Sequence, residues 1–149
     1  KLNNSNLIFE NFKKFKLPRV GELLKISHKK INKTIIICQG ADVLNEILKI
    51  KNKIDLLGSV SIFSGVWLNE INKRDLLKLN NKKVIMFQSS ISYGGFDSFL
   101  SKKILENSLN IKKFKSISIN EIPKCGQNDE ILDYHNLSAG SILNIVKGY

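Results

Sequence analysis

Residues Thr34–Leu48 read TIIICQGADVLNEIL, and the fold turns on how this run is understood. Thr34 to Cys38 form an apolar, largely β-branched stretch with no polar alternation. Such a stretch predicts a strand buried on both faces, the habit of parallel sheets. Gly40 closes it. Beyond the glycine, Val43, Leu44, Ile47 and Leu48 share one helical stripe, which predicts a helix over Asp42–Lys51. Strand, glycine and helix together make the first half of a βαβ unit.

The same cycle recurs on both sides of this unit. Gly21–Ser27 (GELLKIS) reads as a short strand leading into the lysine-rich turn HKKINK. Ser59–Ser64 (SVSIFS) is a further strand. NKRDLLKLNN is a short helix, with Asn72 as N-cap and Asp75 three residues on, where a carboxylate suits the helix dipole. Val84–Gln88 is another strand of the buried type. Phe96, Phe99, Leu100 and Ile104 then lie on one helix face, with Leu109 a turn further on. Phe114–Asn120 alternates as a strand does. Two short helices follow, near Asp129–Tyr134 and Ala139–Lys147. Five strands alternating with helices predict an α/β protein: a three-layer α/β/α sandwich around a mostly parallel sheet. Lys1–Leu17, polar but carrying Leu7, Ile8, Phe9, Phe12 and Phe15, reads as a linker or arm that lies on another surface. Residues 18–149 read as the domain itself.

Composition narrows the function classes. The 149 residues match the size of one domain with a core that needs no staples. No apolar run reaches the roughly 18 residues of a membrane span, and the opening residues lack a secretory signal's apolar stretch. Cys38 and Cys125 have neither disulfide-framework nor metal-ligand spacing, so reduced thiols in the cytoplasm are expected. The net charge of +11 raises the prospect of nucleic acid. Against it, Arg19 and Arg74 are the only arginines, and the lysines are dispersed instead of interleaved with aromatics. A solvated lysine surface is the expectation, with no nucleic-acid partner.

Several residues invite a chemical reading beside a structural one. Gly94–Gly95, directly before a helix, either expose N–H groups to an anion or simply permit a tight turn and close packing. Neither a GxGxxG nor a P-loop pattern accompanies them. Gly40, at a strand's carboxyl end, admits the same pair of readings. His28 and His135 sit in no cluster with ligand spacing. Cys38, on a buried strand, reads as inert core. Asp129 and Glu130 suit a helix start better than acid–base work. Trp67 reads as a packing anchor. No GxSxG elbow is present. No catalytic, cofactor-binding or metal-binding residue is assigned. Gly40, Gly94 and Gly95 remain as candidate anion or ligand turns.

The order of these pieces resembles a known family. GQNDEILDYHNLSAGSILNIVK (Gly126–Lys147) is similar to the last segment of transketolases, in which a Gly-Leu turn separates the two final helices. Here that turn is Asn136–Leu137, and Asn is the next-best residue for a left-handed cap. MFQSSISYGGFDSFLSKKIL resembles the family's VEEHSIIGGLGSAVAEVL-type segment, with Ile91, Gly94, Gly95, Phe96, Ser98 and Leu105 in matching places. Asp97 replaces a glycine, and Ser89 and Ser90 stand where the family has two acids. TIIICQGADVLNEIL resembles the first strand–glycine–helix unit of the same domain. From about Arg19 onward the chain is thus similar to the C-terminal domain of transketolase-like enzymes, whose relatives include 1-deoxy-xylulose-5-phosphate synthase and the beta subunits of 2-oxo-acid dehydrogenases.

The resemblance implies a five-stranded mixed sheet whose first strand runs antiparallel to the rest. It implies a parent enzyme that uses thiamine diphosphate and Mg²⁺, held by other domains on a GDG…N motif that these 149 residues lack. The implied role is a non-catalytic domain that packs on the catalytic domains or subunit of the same enzyme and supports a homodimer. A small-ligand or regulatory module using the glycine turns is the alternative.

Overall fold

The computed structural model describes residues 18–121 and 126–149, so Lys1–Leu17 and Cys125 lie outside the described residues. In chain order the elements are β1 (Leu24–Ser27), β2 (Thr34–Gln39), α1 (Ala41–Asp55), β3 (Val60–Ser64), α2 (Lys73–Leu77), β4 (Lys83–Ile91), α3 (Phe96–Glu106), β5 (Lys113–Ile119), α4 (Asn128–Tyr134) and α5 (Ala139–Gly148). The five strands form one sheet in the order β1-β3-β2-β4-β5. β2 pairs parallel with β3 and β4, and β4 parallel with β5. β1 pairs antiparallel with β3, from Leu24 opposite Ser64. The mixed, mostly parallel sheet implied by the family resemblance is the one observed.

The β-branched run explains the layers. Side chains alternate across a strand, so Ile36 and Cys38 face one side while Ile35 and Ile37 face the other, all fully buried. Ile36 and Cys38 join Ile85 and Phe87 of β4, and helices α1 and α5 cover them through Ile47, Ile54 and Ile142. Ile35 and Ile37 join Val84 and Met86, covered by Leu76 of α2 and by Phe96, Leu100 and Ile104 of α3. Two apolar layers, one on each face, make the three-layer sandwich. Each fully buried Ile contributes about 2 kcal/mol of hydrophobic stabilisation relative to exposure.

Element ends differ from the sequence expectation for local reasons. β1 starts at Leu24, not Gly21: Gly21 turns with φ +75°, and the Leu23 N–H donates 2.8 Å to the buried carboxylate of Asp75 instead of to a strand. That carboxylate stands at the start of α2, where the Asp75 N–H is capped by Asn72 Oδ1 at 2.8 Å, as the NKRD spacing predicts. α1 runs past Lys51 to Asp55 because Ile54 continues the buried stripe and Lys51 bridges Asp55 one turn on. Ser108, with φ +50°, ends the α3 region, yet Leu109 still packs on the α3 face of the core. Asn136 takes φ +59°, the left-handed cap that lets Asn stand in for glycine between α4 and α5. No helix of the described residues is long and apolar enough to cross a membrane.

Candidate functional site at the carboxyl edge of the sheet

Chain connections leave β2 and β4 in opposite directions: β2 continues to β3 on one side, β4 to β5 on the other. The carboxyl ends of these two neighbours therefore frame the crevice in which open α/β sheets bind ligands. Gly40 follows β2 directly, and Ser89 lies at the end of β4. Gly40 adopts φ +99°, and a Cβ there would fall 2.0 Å from Ser89 Oγ. The glycine is required twice over, for its backbone conformation and for the approach of Ser89.

A small cavity of about 110 Å³ opens beside this contact. Its polar side comes from Asp42, Ser89, Asn128 and His135. Its apolar side comes from β5 and the α4–α5 region, through Ile119, Ile131, Leu132 and Leu137. Asp42 is in the first turn of α1, and Gly40 gives that helix no side-chain cap. His135 is only 7% exposed, and its Nε2 has no hydrogen-bond partner among the described residues. The ring packs edge-on to Tyr134, with centroids 5.0 Å apart. Sequence reasoning assigned His135 no role. A histidine at the C-terminal end of a short helix carries no signal of its own, and its burial comes from the tertiary placement of α4 over β5.

Gly94 and Gly95 lie at the same edge but build something different. Gly94 has φ +77° and opens the turn. A Cβ on Gly95 would meet Gln88 Nε2 at 2.7 Å and the Ile91 carbonyl at 2.8 Å. The first turn of α3 is filled from within: the Asp97 N–H donates to Gln88 Oε1 at 3.1 Å, and the Ser98 N–H to Asp97 Oδ1 at 2.7 Å. Asp97 Oδ2 also accepts from Ser116 Oγ of β5 at 2.9 Å, just before the point where the pairing of β4 with β5 shifts register. Asp97, which the sequence resemblance reads as replacing a glycine, thus ties α3 to the edge strand. Gln88 Nε2 and Ser90 Oγ, inside the shifted stretch, are buried without partners among the described residues, as is Gln39 Oε1 at the end of β2.

The remaining chemical candidates are scattered. Cys38 is fully buried, and burial pushes its thiol up to about 12, which keeps it protonated and unreactive. His28 is exposed on the far side of the sheet, beside Phe63; its pKa is lowered by partial burial and then by Lys25 and Lys78. Trp67 is half-buried after β3, with its Nε1 enclosed and unpartnered among the described residues. Asp129 and Glu130 are exposed at the start of α4, where Glu130 accepts from the Gln127 N–H at 3.2 Å. The described residues hold no group of three or more His, Cys, Asp and Glu side chains placed to bind a metal ion. At the amino edge, Lys33, Lys83 and Lys147 border a shallow hollow beside Tyr149.

No family model matches the sequence, and no curated protein matches it. The fold is similar to solved transketolase structures. One is a split-gene transketolase described as an inactive β4 tetramer, with a TM-score of 0.72 and 14% identity over 89% of this chain. Another is transketolase from Campylobacter jejuni, with a TM-score of 0.58 and 14% identity over 90% of this chain. At that identity the likeness is one of fold. The chain spans 43% of the first of these proteins and 20% of the second.

Proposed function

We propose that this chain, whose fold is that of the transketolase C-terminal-like domains, is the non-catalytic C-terminal domain of a cytoplasmic, thiamine diphosphate-dependent enzyme. The whole enzyme moves two-carbon ketol units between sugars. This domain packs against the catalytic domains or subunit and supports a homodimer. The observation that carries the reading is the extent of the likeness: nine-tenths of this chain matches a minor fraction of each transketolase. The split-gene protein supports a separately made part, because it is described as an inactive tetramer of one subunit type.

Thiamine diphosphate and its metal do not fit the residues described here. A diphosphate-bound Mg²⁺ needs several oxygen ligands at fixed spacing. The carboxyl-edge cavity offers the single carboxylate of Asp42 and about 110 Å³, and no acidic cluster occurs among the described residues. The cofactor is therefore assigned to the partner polypeptide.

A docking role is favoured by the carboxyl-edge loops. Val66 and Leu68, after β3, are 45% and 60% exposed; Ile91, the last residue of β4, and Tyr93, beyond it, are 54% and 91% exposed. Apolar side chains gathered on one edge suit coverage by a neighbouring domain. Reconstitution tests the reading. Mixed with a polypeptide that carries the GDG motif and the thiamine diphosphate site, the chain should restore ketol transfer that neither component shows alone. Ketol transfer by this chain without a partner would refute it.

A further inference from the structure

We propose that the crevice between the carboxyl ends of β2 and β4 binds a small monocarboxylate, its charged end at the start of α1 and its carbon chain against the apolar wall. The inference requires only this chain and goes beyond the packing role.

Two independent observations meet in the cavity. The first is the N-terminus of α1. The helix has 15 residues and lacks a side-chain cap, and its first turn borders the cavity through Asp42. The other helices begin with a side-chain acceptor in place: Asn72 for α2, Gln88 and Asp97 for α3, Glu130 for α4, and Ser138 with Glu46 for α5. The unsatisfied N–H groups at the start of a helix attract negative charge. The second observation is His135, 93% buried by its 7% exposure, lining the same cavity with Nε2 unpartnered among the described residues. A buried ring nitrogen without a partner is costly, and a ligand oxygen would satisfy it. Ser89, packed against Gly40, is also part of the lining.

The lining selects the ligand. Half of it is aliphatic, from Ile119, Ile131, Leu132 and Leu137, and this favours a short carbon chain over a bare inorganic ion. The carboxylate of Asp42 at the rim repels any anion, and the two charges of a phosphate dianion about twice as strongly as the one of a monocarboxylate, which selects the monoanion of the two. A volume of about 110 Å³ admits a carboxylate with only a few carbons.

The test is a two-dimensional amide NMR titration of the full 149-residue chain with sodium butyrate, run beside inorganic phosphate at matched ionic strength. Butyrate should shift the signals of Asp42, Val43, Ser89 and Leu137 saturably, and bind more tightly than phosphate. His135→Phe, which keeps the bulk and removes the donor, should weaken butyrate binding by about tenfold. Ser89→Ala, a smaller change that spares the core should His135→Phe fail to fold, should weaken it by about threefold. The proposal is overturned by shifts that do not saturate, by saturable shifts confined to the Lys33, Lys83 and Lys147 edge, by tighter binding of phosphate, or by variants with unchanged affinity.

Discussion

Two strand–glycine–helix turns stand side by side at the carboxyl edge and have opposite interiors. After β4, the Gly94–Gly95 turn leads into a helix whose first N–H groups are taken by Gln88 and Asp97, and Asp97 reaches on to Ser116 of β5. After β2, the Gly40 turn leads into a helix with no side-chain cap, facing a cavity and a buried histidine. The same local grammar closes one helix start on the protein itself and leaves the other beside a cavity, with no side-chain cap among the described residues. A glycine before a helix is therefore not evidence of a site; what satisfies the first helical N–H groups decides it.

The largest test of this contrast is at the glycines. Gly40→Ala forces a side chain onto φ +99° and into Ser89 Oγ, and should cost about 3 kcal/mol, measured by urea unfolding. Adding Ser89→Ala should recover only a minor part, because the backbone strain stays. Gly95→Ala has an ordinary φ but meets the Ile91 carbonyl, and should cost about 2 kcal/mol. Full rescue of Gly40→Ala by Ser89→Ala would show that only the side-chain approach matters there.

A smaller effect separates the acids of the two first turns. Asp97→Ala removes a cap and leaves Ser116 without its acceptor, and should cost about 1.5 kcal/mol in the same unfolding assay. Asp42→Ala, at an exposed residue that caps nothing, should change stability by only about 0.3 kcal/mol. Equal costs at the two sites would erase the distinction between a self-closed and an open helix start.

The sequence made the architecture legible because its signals are local and repeated. The run at Ile35–Cys38, β-branched and closed by a glycine, reads as a strand buried on both faces, and its odd and even residues do part between the two layers. The Asn72 cap was readable from spacing alone and is present. The antiparallel direction of β1 was not readable from Gly21–Ser27 and came only with the family resemblance. Its start was missed because Asp75, about fifty residues on, takes the Leu23 N–H. The cavity was half legible. Gly40, which the sequence left open as a ligand turn or a plain structural one, lies beside it, but His135, Ser89 and Asn128 meet only through long-range packing of α4 and β5 around the β4 end. Asp97, read as a departure from the family pattern, turns out to cap α3 and tether it to β5.

The central claim is that this domain supplies structure to an enzyme whose cofactor is held elsewhere. Its most direct test is a thermal-unfolding titration of the chain with thiamine diphosphate and Mg²⁺. A ligand that binds only the native state raises the melting temperature with concentration. The account predicts an unchanged melting temperature across the titration. A saturable rise that needs both cofactor and metal would contradict it.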